Sequence, residues 1–123
     1  MKREIKFRGW RRKYQCWEYG YLIECPAPEL NEIVEVTKYG GRIIAAVERD
    51  SVGQFTGLHD KDGREIYEGD IVKNENGVLQ VVEFHDGSFT LGDYYFGSIG
   101  AGRVLEVIGN IYENPDLMEA HHD

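Results

Sequence analysis

Residues 55–72 read Phe55-Thr-Gly-Leu-His-Asp-Lys-Asp-Gly-Arg-Glu-Ile-Tyr-Glu-Gly-Asp-Ile-Val72, placing Asp60, Asp62, Glu65, Glu68 and Asp70 close together among Gly57, Gly63 and Gly69. Such a stretch is either a carboxylate site for an ion or for proton transfer, or a set of acidic turns. A calcium loop of the EF-hand kind needs ligands at its first and twelfth positions around a glycine at the sixth. With Gly63 sixth, Leu58 falls first and Gly69 twelfth, and neither carries a carboxylate. The other reading is a β-hairpin with Phe55–Leu58 as one arm, an Asp-Gly turn, and Glu65–Tyr67 as the other arm. Aspartate and glycine suit such a turn because they tolerate its dihedrals. Glu68-Gly69-Asp70 repeats the pattern: Gly69 permits a reversal and Asp70 accepts local backbone amides as Ile71-Val72 opens the next strand. Two carboxylates also make an acid–base pair in some enzymes. Here no histidine, serine nucleophile or phosphate loop is placed to make a reaction, and turns are the preferred reading.

Outward from this stretch, short runs rich in Val, Ile, Tyr and Phe alternate with turn signals, and glycine (15) far outnumbers proline (3), as in a small, mostly β protein. Glu4–Arg8 alternates charged and apolar residues, which predicts Ile5 and Phe7 toward a core and Lys6 and Arg8 toward water. Gly9–Tyr14 then turns back along Gln15–Tyr19 as an N-terminal β-hairpin. Glu29–Val34 has helical spacing but β-branched residues, so helix and strand both stay open for residues 19–47. Arg42–Val47, after Gly40-Gly41, reads as a buried strand. Asn74–Gly77 reads as a hairpin turn, followed by a strand at Val78–Phe84, a turn at His85–Ser88 and a strand at Phe89–Leu91. In Leu105–Ile111 the odd positions Leu105, Val107 and Ile111 share a face with Gly109, a glycine of the kind that marks a bend or close backbone approach. Asn114-Pro115 predicts the start of a short C-terminal helix. The expected fold is mostly β: short antiparallel strands, with a small SH3-like curled barrel in the C-terminal half. A single domain over residues 1–123 is expected, with N-terminal strands and a variable region in 1–50 and a β-rich core in 51–115.

The 123 residues, 41% hydrophobic and 12% aromatic, are enough for a core without disulfides or metal and exclude a disordered chain. No apolar run approaches the roughly 20 residues of a membrane span. MKREIKFRGW lacks the apolar stretch of a signal peptide, so a cytoplasmic location is expected. Cys16 and Cys25 are expected as reduced thiols. With His59 and His85 they lack chelating spacing, so no metal and no cofactor is expected. The net charge of −8 is uneven. Residues 1–15 hold seven basic residues against Glu4, a balance of +6; the remaining seven basic and 21 acidic residues give −14.

Three motifs carry a family resemblance. Gln54–Val72 resembles the central signature of the YopX family, small proteins encoded by phages and prophages in bacterial genomes. Arg3-Glu-Ile-Lys-Phe-Arg-Gly-Trp10 looks like that family's amino-terminal motif, and Leu105-Glu-Val-Ile-Gly-Asn-Ile-Tyr-Glu-Asn-Pro115 is similar to its carboxy-terminal one. Gly9 departs from the usual alanine-like residue and His59 from a frequent lysine, and residues 19–47 match least. Gly57, Gly63, Tyr67, Gly69, Asp70, Gly109 and Asn110 are the structural positions of these motifs. The resemblance implies a β-rich fold, self-association, and a phage or prophage origin. It implies no activity and no catalytic residue.

The functional expectation is a non-enzymatic, self-associating binding module in which a basic leading segment meets an acidic body. The alternative is single-stranded nucleic-acid contact through Arg8, Trp10, Arg11, Arg12, Lys13 and Tyr14, since cations interleaved with aromatics suit single strands. Against that stands a solvated basic face on an edge strand. A basic host protein is a further compatible partner for the acidic body; a membrane is not.

Overall fold

The computed structural model describes residues 5–23, 30–36, 42–85, 88–91, 94–95 and 104–119. Two compact units divide the chain, Met1–Phe55 and Thr56–Asp123. No helix among the described residues is long and apolar enough to cross a membrane.

The first unit is an antiparallel sheet built from β1 (Phe7–Arg11), β2 (Cys16–Ile23), β3 (Leu30–Val36), β4 (Arg42–Glu48) and the start of β5 (Gly53–His59), in the order β4-β3-β2-β1-β5. β1 and β2 form the expected N-terminal hairpin, in register from Phe7 opposite Gly20 to Arg11 opposite Cys16. The reversal is a 3-10 turn at Arg12–Tyr14 closed by Gln15, which takes a left-handed conformation (φ 52°). Gln15 holds it with its side chain, Nε2 donating to the Arg12 carbonyl at 2.7 Å.

The segment left open between helix and strand is β3. It pairs on both sides, with Val34 opposite Tyr21 of β2 and Ile44 of β4. Ladder bonding on two edges favours the β-branched residues that a helix would restrict. The strand expected at Arg42–Val47 is β4, and its Val47 is buried. Between β4 and β5 a second 3-10 turn, Arg49–Ser51, is tied to the hairpin: the Ser51 hydroxyl donates to the Glu48 carbonyl at 2.6 Å and accepts the Trp10 amide at 2.7 Å.

One expectation in this unit is reversed. Ile5 is 57% exposed, and Arg8 is 7% exposed. The β1 ladder begins only at Phe7, so Ile5 lies outside the pleat whose alternation was extrapolated to it. Arg8 lies on the face it shares with Tyr19 and Trp17, and it is covered there because its guanidinium packs on the Trp17 ring, with the guanidinium carbon 4.4 Å from the ring centroid. Trp17 also meets Trp10 edge-on, with centroids 5.3 Å apart at 73°. A cation over a desolvated indole contributes about 2 kcal/mol. Arg8→Ala is expected to lower stability by about 1–2 kcal/mol in chemical denaturation, with Arg8→Lys recovering only part of it because an ammonium cannot stack flat.

The second unit holds the rest of β5 and β6 (Glu65–Tyr67), β7 (Asp70–Lys73), β8 (Leu79–His85), β9 (Ser88–Leu91), β10 (Tyr94–Tyr95), β11 (Glu106–Asn110) and the short helix α1 (Pro115–Glu119). β6 lies beside β5, and the others form an antiparallel sheet in the order β10-β9-β8-β7-β11. The all-β class is as expected. Among the described residues this sheet is an open ladder, and no closed barrel is detected. Its core is Ile66, Val72, Val82, Phe89, Leu91 and Leu105, with Leu58 and Val107 packed against it. Burying each such side chain contributes roughly 1.5–3 kcal/mol.

The alternation expected through Leu105–Ile111 is interrupted. Val107 pairs with Val72, but Gly109 pairs with Ile71, so Ile108 is an extra residue in a β-bulge. Residues facing one another across a ladder share a side, and the bulge therefore moves Gly109 off the face of Val107. Ile111, past the end of the strand, is 49% exposed.

Candidate functional site

Two carboxylates of the acidic stretch, Asp60 and Asp70, bind backbone amides. Asp60 is buried. Its Oδ1 accepts the amides of Asp62 at 2.9 Å and Arg64 at 2.8 Å. Its Oδ2 accepts the Val107 amide of β11 at 2.9 Å. The loop closes on its backbone as well, with the Asp60 amide donating to the Arg64 carbonyl and the Gly63 amide to the Asp60 carbonyl. Burial pushes the Asp60 carboxyl upward, but the amides of Val107, Arg64 and Asp62, together with the Arg64 charge, outweigh it and hold the group below the ordinary aspartate range.

A copy of this turn, with an uncharged amide in place of the Asp60 carboxylate, lies 14 residues on. Asn74-Glu-Asn-Gly-Val78 aligns with Asp60-Lys-Asp-Gly-Arg64, with asparagine for aspartate at the first and third positions and glycine at the fourth. Asn74 Oδ1 accepts the amides of Asn76 at 2.9 Å and Val78 at 3.0 Å. The backbone bonds recur, Asn74 amide to Val78 carbonyl and Gly77 amide to Asn74 carbonyl, and the fourth residue is left-handed in both loops (φ 85° at Gly63, 80° at Gly77). Glycine takes that conformation without the steric cost a Cβ brings. Since an amide serves the same turn, the negative charge of Asp60 is not what the turn itself needs. What an aspartate adds is a second acceptor oxygen, and Val107 uses it.

Several of the remaining motif positions also hold backbone. Asp70, 1% exposed, accepts the Tyr67 amide through Oδ2 at 2.7 Å. Tyr67 is buried with its hydroxyl donating to Glu65 at 2.9 Å. Gly69 donates to the Val82 carbonyl and accepts from the Ile111 amide, stitching three segments at one residue. Asn110, buried, accepts the amides of Tyr112 and Glu113 through Oδ1 and donates from Nδ2 to Glu113. Asn114 sits before Pro115 as expected of a helix start, and its side chain turns back to accept the Asn110 amide at 3.2 Å. Gly57 is an exposed position within β5. Thr56, a motif residue not singled out from sequence, donates its hydroxyl to the Ile66 carbonyl at 2.7 Å and so fixes the hairpin register.

The basic aromatic segment is split by the fold. Arg8 is buried against Trp17, and Trp10 packs on the same ring. Arg12 pairs with Glu48 at 2.6 Å. Arg11 lies 4.2 Å from the Tyr14 centroid and 3.5 Å from Glu18, and the Lys13 ammonium 5.6 Å from the same ring. Tyr14 is 55% exposed. The six residues grouped by sequence therefore separate into an inner pair, Arg8 and Trp10, and an outer tip, Arg11 to Tyr14. The inner pair could not be read from spacing, because only the pairing of β1 with β2 brings Trp17 to Arg8. Cys16 is a free thiol. Cys25, His121 and His122 lie outside the described residues.

Two antiparallel β units, a terminal helical turn and a set of carboxylate- and amide-braced loops define an all-β protein whose polar motif residues maintain backbone geometry. The family model of the YopX protein matches residues 6–119, nearly the whole chain; the protein belongs to the YopX family. A similar solved structure is that of protein EF1440 from Enterococcus faecalis, 24% identical, with a TM-score of 0.58 over 95% of this chain and 99% of that one. At that identity the likeness bears on the fold. No curated protein matches significantly.

Proposed function

We propose that this protein is a non-enzymatic, self-associating binding module serving a phage or prophage in the host cytoplasm. The observation that carries the reading is the face of β2. Tyr19 and Tyr21 lie on one side of the strand, 41% and 59% exposed, next to the Trp17 ring that Arg8 and Trp10 cover. Exposed aromatic rings on a rigid sheet are characteristic of protein contact surfaces. The uneven charge supports a second copy as the partner, since a segment of +6 and a remainder of −14 attract between subunits. A non-catalytic role is supported by the engagement of Asp60 and Asp70 with backbone amides, which leaves the turn reading of the central motif the simpler one.

Size-exclusion chromatography with light scattering tests the reading. At on the order of tens of micromolar the protein is expected to elute as more than a monomer, since a micromolar interface is then mostly occupied. Tyr19→Ser combined with Tyr21→Ser is expected to shift it toward the monomer, with little change in thermal midpoint because both rings are exposed. A strictly monomeric wild-type species at that concentration overturns the proposal.

A further inference from the structure

We propose that the tip of the β1–β2 hairpin is a contact site for single-stranded nucleic acid, formed by Arg11, Lys13 and Tyr14, with Arg12 as a further phosphate contact that Glu48 restrains. The inference is independent of self-association. It rests on the position of Tyr14, more than half exposed at a tight reversal with a guanidinium and an ammonium drawn to its ring. The backbone of the tip is braced by the Gln15 side chain on the Arg12 carbonyl and by the Trp10 amide bonded to Ser51. Stacking of a base on an exposed aromatic ring needs no sequence, and adjacent cations meet the phosphates on either side. Lys13, at 5.6 Å the looser of the two cation contacts, is the one a base displaces, and its ammonium then moves to a phosphate.

The chemistry of the tip argues against other anionic partners. Arg12-Lys-Tyr-Gln15 contains no aliphatic side chain to enter a bilayer, and a simple polyanion makes no use of an aromatic ring. Two carboxylates restrain the site. Glu48 holds Arg12 and Glu18 approaches Arg11, so the tip offers less positive charge than its sequence suggests. That restraint gives the proposal a direction no purely structural role shares: removing a carboxylate strengthens binding.

Fluorescence anisotropy with a labelled oligothymidylate of about ten nucleotides, at low salt, tests this on the full chain. Binding is expected, weakening as salt rises. Tyr14→Ala is expected to weaken it about ten-fold, and Lys13→Ala to reduce the salt slope by about one. Glu48→Gln is expected to tighten it several-fold by releasing Arg12, with thermal melting confirming that each variant is folded. No binding at low salt overturns the proposal. So does Tyr14→Ala binding like wild type, a Glu48→Gln variant no tighter than wild type, a preference for duplex, or inorganic polyphosphate competing as well as the oligonucleotide.

Discussion

Replacing Asp60 with alanine is expected to lower stability by about 3 kcal/mol and the thermal midpoint by roughly 10 °C. Three backbone amides lose a charged acceptor at once. Hydrogen bonds to charged groups contribute about 1.5–3 kcal/mol each. The turn amides of Asp62 and Arg64 are near water, which supplies a substitute, so the full sum is not lost. Val107 is different, because its amide lies within β11 against the core and is left without its acceptor. Asp60→Asn isolates that one contact. An asparagine serves the turn, as Asn74 does, but presents an NH2 group to the Val107 N–H. The expected cost is about 1–2 kcal/mol, whereas the converse Asn74→Asp is expected to be near neutral. Urea denaturation of the three variants checks the order, and an Asp60→Asn cost equal to that of Asp60→Ala removes the distinction between turn and brace.

The acid limb of stability follows from the same group. The Asp60 carboxyl is held below its ordinary value in the folded state. The unfolded state therefore binds the proton more readily, and stability rises with pH across the interval between the two values. Its contribution is complete above about pH 4, the ordinary aspartate value, and is lost as pH falls through the folded value. Wild type is expected to lose stability below about pH 4 more steeply than Asp60→Asn. Superimposable acid limbs sink the assignment.

The second large effect is expected at Gly109. A Cβ there meets Asn114 Oδ1 at 2.5 Å, Asn114 Cγ at 3.0 Å and Leu117 Cδ1 at 3.0 Å. The nearest atom is not an idle side-chain end, because that oxygen accepts the Asn110 amide. Gly109→Ala must therefore displace Asn114 from its bond or push α1 away through Leu117. Overpacking costs about 1–3 kcal/mol and an unsatisfied part-buried amide a similar amount, so about 2–3 kcal/mol is expected overall. A companion Asn114→Ala removes the obstructing oxygen, and the double variant is expected to be less destabilised than the sum of the singles. Additive values show that the two residues do not meet.

Local chemistry in this chain was legible because it is written in neighbouring residues. The hairpin of β5 and β6, the Asn74–Gly77 reversal, the turn role of the central carboxylates and the Asn114-Pro115 helix start each depend on dihedral preferences and on amides two to four residues away. The family likewise shows in the three motifs, which lie in the same order as the β elements they build. The undecided segment, Leu30–Val36, became a strand because β2 and β4 bond it on both edges, and neither edge is encoded within the segment.

Tertiary structure alone decided the partners that are far apart in sequence. Arg8 reads as a solvent-facing charge until Trp17 is folded across from it, since a guanidinium is buried only where a ring or carboxylate takes over from water. Asp60 and Asn74 read as equivalent turn residues until β11 brings the Val107 amide to the second oxygen, 47 positions away. Gly109 reads as a generic bend until the bulge at Ile108 turns it toward Asn114 and Leu117. Short-range bonds are fixed by a few torsions and are visible in a motif. Long-range ones exist only when burial and strand register bring distant groups to the same place, and it is those contacts that turned an acidic loop into a brace and divided a basic segment into an inner pair and an outer tip.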